Sequence, residues 1–332
     1  MSYSGSASEP LVSICLPMYK AGEFAEECLR SCLAQTYENI EIVVSDDDSP
    51  DNTWDVIERV AREVPIKIKA VRQERNLGAA GNINSILDRC RGKYVALFAG
   101  DDVMFPEKIQ KQVDFLEKNT RYSACIHDVE VFDSATNSVL YRWLDRYRPP
   151  RRGRDVLFAT NWLLGEKPIK APSASFFGKR SYLGVGRNYV GVGPYHEWTQ
   201  IIGCHAAEPN ALWYTIPEAL ARYRIHSSNT HGLTERGLYW ESQLDFWKAL
   251  DFCQAKYPQF ATDIVRYRRH NLFQGYVNGW FPSDEWLDWR RLALAEMGWA
   301  LFSFAFAMRL LARGRFSIGR WKERLHGGLR GI

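Results

Sequence analysis

The chain has 332 residues, of which 46% are hydrophobic and 25% are charged. That length and apolar content suffice for a full hydrophobic core in one large or two smaller domains. The formal net charge of +4 is too small for the chain as a whole to resemble a nucleic-acid-binding protein, so we expect no nucleic-acid partner.

Cysteine usage and the absence of targeting signals bear on location. The seven cysteines include no CxxC pair, which is typical of reduced, buried thiols. The first ten residues lack the charged start and apolar core of a signal peptide. No segment has the ~20 apolar residues that a membrane-spanning helix needs. These features predict a cytoplasmic protein.

Strands and helices alternate through the first 120 residues. Apolar runs predict strands at 11–16, 40–44, 66–71 and 94–99, and apolar periodicity predicts helices at 22–35, 53–63 and 79–90, with another that begins at Pro106. Parallel neighbouring strands need a crossover connection, which a helix supplies. The pattern therefore predicts an α/β fold with a doubly wound, mostly parallel sheet.

The alternation becomes irregular after about residue 120. Strands are predicted at 123–132, 174–177 and 217–223, helices at 155–164, 197–204 and onward from 234, and a loop rich in Arg, Tyr and Pro at 134–153. The change near residue 230 predicts two units. Residues 1–230 would form an α/β domain, and residues 231–332 a helical C-terminal region.

Adjacent carboxylates follow two of the predicted strands. Asp101 and Asp102 come after the strand at 94–99, and residues 46–48, all Asp, come after the strand at 40–44. Ligands of open α/β sheets bind at the carboxyl ends of the strands. Carboxylates there are suitable ligands for Mg²⁺ or Mn²⁺, which would hold a diphosphate. The alternative is that these acids only cap the helices that follow.

An ordered set of motifs resembles the family 2 glycosyltransferases, which are inverting enzymes with the GT-A fold. The resemblance covers roughly residues 10–230 and rests on five segments in the family's order. These are residues 12–19, 41–53, 76–84, 92–108 and 223–226. The resemblance implies a nucleotide-sugar donor and a Mn²⁺ or Mg²⁺ cofactor.

The resemblance also implies roles in donor binding. Asp47 would bind the base of the nucleotide beside the Pro17–Tyr19 backbone, and Asn76 and Gly78 would form part of the same site. Asp101, together with Asp102 and His226, would hold the metal on the diphosphate. His226 could instead contact the diphosphate, and Arg224 would pair with phosphate or with acidic neighbours.

Glu197 falls where the family carries its catalytic acid residue. It would act as the general base that accepts the proton of the acceptor hydroxyl. The neighbouring His196 is the competing candidate for this role. A purely structural alternative is that an acid in the first turn of a helix interacts favourably with the helix dipole.

Four positions depart from the family pattern. Asp48 stands where the family usually has Gly. Lys20 stands where the family often has an Asn, directly after the motif at residues 17–19. Ala99 replaces the first Asp of the metal motif, and Ile83 replaces an Arg. The loss of a carboxylate at residue 99 bears most directly on metal affinity.

A basic, aromatic segment lies at residues 297–325. Its composition is typical of a helix lying in the plane of an anionic membrane. The alternative is a helical region packed on the catalytic domain or on a second subunit of a homo-oligomer.

Together these features predict an inverting glycosyltransferase that uses a UDP- or dTDP-linked sugar. The acceptor would be a hydroxyl of a glycan in cell-surface polysaccharide or lipid-linked oligosaccharide synthesis, at the inner membrane surface. The alternative is a membrane-associated scaffold that binds a nucleotide sugar without turnover.

Overall fold

The computed structural model describes residues 9–146, 157–158, 173–188, 196–226 and 247–278. Its strands, in chain order, are β1 Val12–Met18, β2 Ile40–Asp46, β3 Ile68–Arg72, β4 Tyr94–Leu97, β5 Val103–Met104, β6 Tyr122–Asp133, β7 Val139–Arg142, β8 Leu157–Phe158, β9 Phe177–Lys179 and β10 Leu212–Ile225. Its helices are α1 Ala25–Leu33, α2 Thr53–Glu63, α3 Gly78–Leu87, α4 Lys108–Lys118, α5 Trp143–Arg146, α6 Arg180–Leu183, α7 His196–Ala207, α8 at 247–256 and α9 Ala261–Asn278.

The described strands form one mixed sheet in the order β3-β2-β1-β4-β9-β6-β10-β5, with β7 paired to β6 and β8 to β10. The first four of these strands are parallel to one another, and so is the long pair β6–β10. β9 lies antiparallel between β4 and β6. The predicted α/β class with a mostly parallel sheet is confirmed.

The central strands are buried because helices cover both faces of the sheet. Every residue of β2 is buried, and one residue of β1 is only partly buried, as expected for parallel strands in the middle of a sheet. One core cluster joins the sheet to α1, α2 and α4. A second joins the opposite face to α3, α6 and α7, and to residues 250–267 of the C-terminal region.

β1 runs through Pro17 to Met18, although the sequence prediction ended it before the proline. The pairing of β1 with β4 stops at Cys15, whereas the pairing with β2 continues to Met18. Pro17 therefore lies where β4 has already ended, so its missing N–H leaves no carbonyl of β4 unpaired. β4 likewise ends at Leu97, two residues earlier than predicted.

Four predictions for the irregular half were wrong in detail. The loop predicted at 134–153 contains β7 and α5, and the described part of the helix predicted at 155–164 is the strand β8. The strand predicted at 174–177 begins as a 3₁₀ turn and becomes β9 only at Phe177. β10 begins at Leu212, five residues before the prediction. These short strands are defined by their pairing partners rather than by local periodicity.

The seven cysteines are all buried and free, in agreement with the predicted reduced thiols. None of the described helices combines the length and the hydropathy needed to cross a bilayer. The basic segment at 297–325 lies outside the described residues.

Candidate functional site

The two acidic segments predicted from the sequence meet around the end of β1. The Asp47 N–H donates to the carbonyl oxygen of Met18 over 3.0 Å. Gly100 packs closely against the Met18 side chain, since a Cβ added to Gly100 would lie only 2.6 Å from Cγ of Met18. The topology therefore brings residues 46–48 and 101–102 to one edge of the sheet, which we call the acidic edge.

Asp47 is held in a polar pocket by the turn that precedes α3. Its Oδ1 accepts the Leu77 N–H over 2.8 Å. The turn depends on Gly78, whose φ of 72° suits glycine, and on Asn76, whose Oδ1 accepts the Gly78 N–H over 2.9 Å. Burial raises the pKa of Asp47, while the N–H groups of Leu77 and Gly78 oppose that rise. The predicted residues Asp47, Asn76 and Gly78 are thus brought together.

The segment after β1 is tied to the turn after β2. Tyr19, which follows Pro17 by two residues, is 45% exposed. The Lys20 N–H donates to the Ser49 hydroxyl over 3.0 Å. Lys20 and Asp48 both have left-handed backbones, with φ of 52° and 57°. They stand at the positions where the family pattern has Asn and Gly, the residue types that adopt this conformation most readily.

Asp101 and His226 form a close pair at the other half of the acidic edge. The Nε2 of His226 lies 3.1 Å from Oδ2 of Asp101. Asp102 is fully buried, and its Oδ1 accepts the Arg224 N–H over 2.9 Å. Burial and the neighbouring Asp101 charge raise the pKa of Asp102 well above its ordinary value, while the Arg224 N–H opposes the rise. Oδ2 of Asp102 is buried without a hydrogen-bond partner.

The Asp101–His226 pair would suit a divalent cation that is also coordinated by a bound small molecule. Adjacent ligands of an octahedral ion at about 2.1 Å are about 3 Å apart, close to the Asp101–His226 separation of 3.1 Å. Asp102, the next residue along the chain, has a buried carboxylate oxygen without a hydrogen-bond partner. In the part of the chain that the structure describes, no three His, Cys, Asp or Glu side chains form a complete metal site. Phosphate oxygens and water would therefore supply the remaining ligands, as is usual for Mg²⁺.

The Arg224 side chain bonds the backbone of the acidic edge and a carboxylate of α1. Its Nε donates to the Asp101 carbonyl oxygen over 2.7 Å, and an outer N–H donates to the carboxylate of Glu27. Its guanidinium carbon lies 4.8 Å from the Phe24 ring centroid and 4.6 Å from that of Phe132. Of the two partners predicted for Arg224, phosphate or an acidic neighbour, the structure shows the acidic neighbour.

Helix α7 carries the two candidates for the general base. It begins at His196, so Glu197 is its second residue; the side chains of residues 196–198 lie outside the described residues. The next turn is anchored by Gln200, whose Oε1 accepts an amide N–H of Asn188 over 3.2 Å. Asn188 is in turn held by Asn84 of α3, through N–H···O bonds of 2.8 and 3.0 Å.

Sequence reasoning missed Phe24 and Glu27. Phe24 immediately precedes α1 and Glu27 lies in its first turn. Their partners Arg224 and His226 lie about 200 residues further along the chain. No local sequence signal announces such a contact. The apolar periodicity of the helix accounts for Phe24, and an exposed Glu in a first turn is ordinary.

The chain is similar in sequence to several known proteins. The family model described as glycosyl transferase family 2 matches residues 13–180, half of the chain. An uncharacterized glycosyltransferase of Haemophilus influenzae is 29% identical over 230 residues, which is 67% of this chain and 67% of that protein. The putative glycosyltransferase EpsE of Bacillus subtilis is 34% identical over 126 residues, which is 38% of this chain and 45% of that protein.

Solved structures share the fold at low sequence identity. TarS of S. aureus (residues 1–349) superposes with a TM-score of 0.61 at 14% identity, covering 86% of this chain and 79% of that one. The same TarS fragment has been solved with UDP and with UDP-GlcNAc. The mannosyltransferase PcManGT from Pyrobaculum calidifontis, in complex with GDP-Man and Mn²⁺, has a TM-score of 0.53 at 19% identity, covering 97% and 81%.

Proposed function

The chain belongs to glycosyl transferase family 2 and has the predicted GT-A fold, and we propose that it is an inverting, metal-dependent glycosyltransferase. It would move a sugar from a nucleoside-diphosphate sugar to a hydroxyl group of a glycan acceptor. One observation carries the proposal: the fold brings Asp47, Asp101, Asp102 and His226 to the carboxyl edge of the sheet, where α/β proteins bind their ligands.

The nucleotide would bind between the two halves of the acidic edge. The Asp47 carboxylate, whose residue bonds the backbones of Met18 and Leu77, would accept a hydrogen bond from an N–H of a pyrimidine ring. Pro17 and Tyr19 would flank the base. A UDP- or dTDP-linked donor is the proposal that this set supports, and the TarS structures with UDP and UDP-GlcNAc are consistent with it.

The diphosphate would lie at the Asp101 end of the edge. Asp101, Asp102 and His226 would hold Mn²⁺ or Mg²⁺ there. A bound divalent cation would neutralise the charge that develops on the leaving nucleoside diphosphate. Arg224 keeps its contacts to the protein, so its part is to position Asp101 and Asp102 rather than to bind phosphate.

Glu197 would supply the base, with His196 as the competing residue. The carboxylate would accept the proton of the acceptor hydroxyl as that oxygen bonds to the anomeric carbon. The bond from the same carbon to the diphosphate breaks in this step, and the single displacement inverts the anomeric configuration. The match of Glu197 to the position of the family's catalytic acid supports this role, and Glu197 is the second residue of α7.

The acceptor and location are proposed from the sequence. The acceptor would be a cell-surface polysaccharide or a lipid-linked oligosaccharide, and residues 297–325 would bring the enzyme to the cytoplasmic face of the membrane. Residues 1–230 would form the catalytic domain and residues 231–332 a helical region that contacts membrane or a second subunit.

A donor-turnover assay tests the proposal. The full-length chain is incubated with a panel of nucleotide sugars, with Mn²⁺ or with EDTA, and released nucleoside diphosphate is measured. We expect metal-dependent release with one donor, lost in Glu197→Gln and in Asp101→Asn. Asp114→Asn, an exposed carboxylate on the outer side of α4, is the matched control and should behave as the wild type.

The same assay separates the scaffold alternative. If a donor binds to the wild-type chain but no nucleoside diphosphate is released, even with membrane extract added as a source of acceptor, the transferase proposal is contradicted. Indifference of the release rate to Glu197→Gln and to the His196→Asn variant would contradict the assignment of the base.

A further inference from the structure

Residues at the start of α1, with Phe24 just before it, contact both halves of the proposed metal site. The Phe24 ring lies against His226, with 4.7 Å between ring centroids. The thiol of Cys28 donates to the carbonyl oxygen of Ala99 over 3.4 Å. Between them, the Glu27 carboxylate accepts an N–H from Arg224. Residues 24, 27 and 28 share one helix face, so a single helical turn reaches both segments that carry the metal ligands.

Arg224 links these contacts to the ligands themselves. Its side chain donates to the backbone of Asp101, and its own backbone N–H donates to the side chain of Asp102. His226 lies two residues after Arg224, just past the end of β10, and its ring contacts the Asp101 carboxylate. The side chain and the backbone of Arg224 therefore each bond one residue of the Asp101–Asp102 turn, and the guanidinium bond is the one that depends on the orientation of the side chain.

Glu27 fixes that orientation. The Arg224 side chain is only 7% exposed, whereas that of Glu27 is 56% exposed. A planar guanidinium can turn about its last bonds unless its outer N–H groups are engaged. The aromatic rings of Phe24 and Phe132 lie against the guanidinium. One outer N–H donates to the Ser134 hydroxyl over a long 3.4 Å, and the other makes the shorter, charge-assisted hydrogen bond to Glu27.

We propose that Glu27 is a positioning residue for the metal site, acting through Arg224 on Asp101 and Asp102. In this proposal Glu27 acts without contacting substrate or metal itself. The inference rests on the proposed function, because it concerns the same metal-bound nucleoside diphosphate. Residues that orient metal ligands through hydrogen bonds commonly change metal affinity by 10- to 100-fold, and we expect the lower end of this range because Glu27 acts through a second side chain.

Binding of Mn²⁺ in the presence of UDP tests the proposal without relying on activity. Free Mn²⁺ is measured by its electron paramagnetic resonance signal while the full-length chain is titrated. We expect the dissociation constant to rise about tenfold in Glu27→Ala. Glu27→Gln, which keeps an acceptor oxygen but loses the charge, should give a smaller rise. The Glu27→Ala effect should be much smaller in an Arg224→Lys background, because Arg224→Lys has already removed the guanidinium contact to Glu27.

The neighbouring residue supplies the control. Glu26 belongs to the same helical turn but pairs with Arg30 and Arg59 on the outer surface, so Glu26→Gln should bind Mn²⁺ as the wild type does. Thermal unfolding without metal is measured in parallel. A loss of stability in Glu27→Gln with an unchanged Mn²⁺ dissociation constant would show a merely structural role and would overturn the proposal.

Failure of the two proposals can be told apart. If the wild type binds Mn²⁺ with UDP and Glu27→Ala binds it equally well, the inference about Glu27 is wrong while the proposed function stands. If the wild type itself binds no Mn²⁺ in the presence of UDP, GDP or dTDP, the metal dependence of the proposed function is wrong, and the inference falls with it. Should Glu27→Ala fail to fold, Glu27→Gln decides the outcome.

Discussion

Asp48 adopts a left-handed backbone conformation with φ of 57°, which costs a residue with a Cβ more than it costs glycine. Aspartate tolerates this conformation better than most residues do. Its exposed side chain lies 3.8 Å from an outer nitrogen of Arg72, and surface ion pairs of this kind contribute little to stability. The departure from the family's glycine is therefore a small local strain rather than a change of chemistry at Asp47.

The strain at Asp48 can be measured with two substitutions. Asp48→Gly should stabilise the fold by about 0.5 to 1 kcal/mol, because relief of the left-handed strain outweighs the extra freedom of glycine in the unfolded chain. Asp48→Ala should destabilise it by a similar amount, since alanine tolerates the left-handed conformation less well than aspartate does. Urea unfolding of the three proteins gives the order, and an alanine variant as stable as the glycine variant would disprove the strain.

Lys108 is a fully buried amine on the helix that follows the acidic edge. Its Nζ donates to the Gln112 side chain over 2.8 Å and lies 5.9 Å from the Phe98 ring centroid. Burial lowers the pKa of Lys108 from 10.5 to about 8. The folded state therefore releases this proton at a lower pH than the unfolded state does. Stability linked to Lys108 is lowest below pH 8 and rises between about pH 8 and 10.5.

Comparison with Lys108→Met isolates this effect. The free energy of unfolding of the wild type, minus that of the variant, should rise by about 2 kcal/mol between pH 7 and pH 10. Taking the difference removes the contribution of groups whose titration does not depend on Lys108. Urea unfolding across this pH range provides the measurement. A difference that stays constant with pH would mean that the amine keeps an ordinary pKa in the folded state.

At the scale of elements, the position of helix α7 depends on a chain of amides. Asn84 of α3 bonds the backbone of Asn188 with both its donor and its acceptor, and Asn188 bonds Gln200. Gln200 also donates to the carbonyl oxygen of Leu183 over 3.0 Å. Because Glu197 lies one turn before Gln200, this network connects the donor side of the sheet to the helix that carries the proposed base.

Replacing one amide nitrogen tests that connection. Asn84→Asp places a carboxylate oxygen against the Asn188 carbonyl oxygen, where an N–H donates in the native protein. We expect the turnover number to fall by about tenfold or more, because small displacements of a catalytic group are costly, while donor affinity changes less than about twofold. Asn119→Asp, at the end of α4, is the control. An equal loss of donor affinity would place Asn84 in the donor site instead.

The elements differ in how far the sequence alone predicts them. The helix at 53–63 was predicted to the residue because its apolar positions repeat at helical spacing and a turn precedes it. β1 and β2 were found because buried parallel strands are long apolar runs. β8 and β9 are two and three residues long and owe their conformation to partners far along the chain, so no local pattern could have located them.

The same reasoning applies to the site. Asp47, Asp101 and Asp102 could be predicted because each follows a strand that the sequence marks clearly, and the carboxyl ends of parallel strands share an edge. The contact of Glu27 with Arg224 could not, because it depends on how α1 packs against the end of β10. Ala99 lacks the carboxylate that the family has at this position, and its carbonyl oxygen accepts a hydrogen bond from the Cys28 thiol.

At the scale of the whole molecule, charge is distributed unevenly along the chain. The net charge is +4, yet the end of the sequence, from residue 309 onward, is strongly basic and interleaved with aromatic side chains. The second core cluster extends into the C-terminal region as far as Tyr267, so residues 247–267 pack on the sheet. The basic segment further along is the part for which we propose contact with an anionic membrane.

Vesicle sedimentation tests the proposed membrane contact. The full-length chain should sediment with vesicles that contain anionic lipid and much less with neutral ones, and added salt should release it. Arg313→Glu and Arg320→Glu should each weaken binding at least about fivefold. Arg62→Glu on α2, an exposed arginine of the catalytic domain, is the control. Equal binding by all proteins would assign the basic segment to packing within the protein or with a second subunit.

The central claim is that the acidic edge is the donor site, and calorimetric titration with nucleoside diphosphates tests it most directly. The wild type should bind UDP or dTDP in the presence of Mn²⁺ and lose most of that affinity with EDTA. Asp47→Asn and Asp101→Asn should each weaken binding at least about tenfold, since each removes an interaction with a charged group, while Asp114→Asn should not. Wild-type affinity in both acidic-edge variants would place the nucleotide elsewhere and contradict the account.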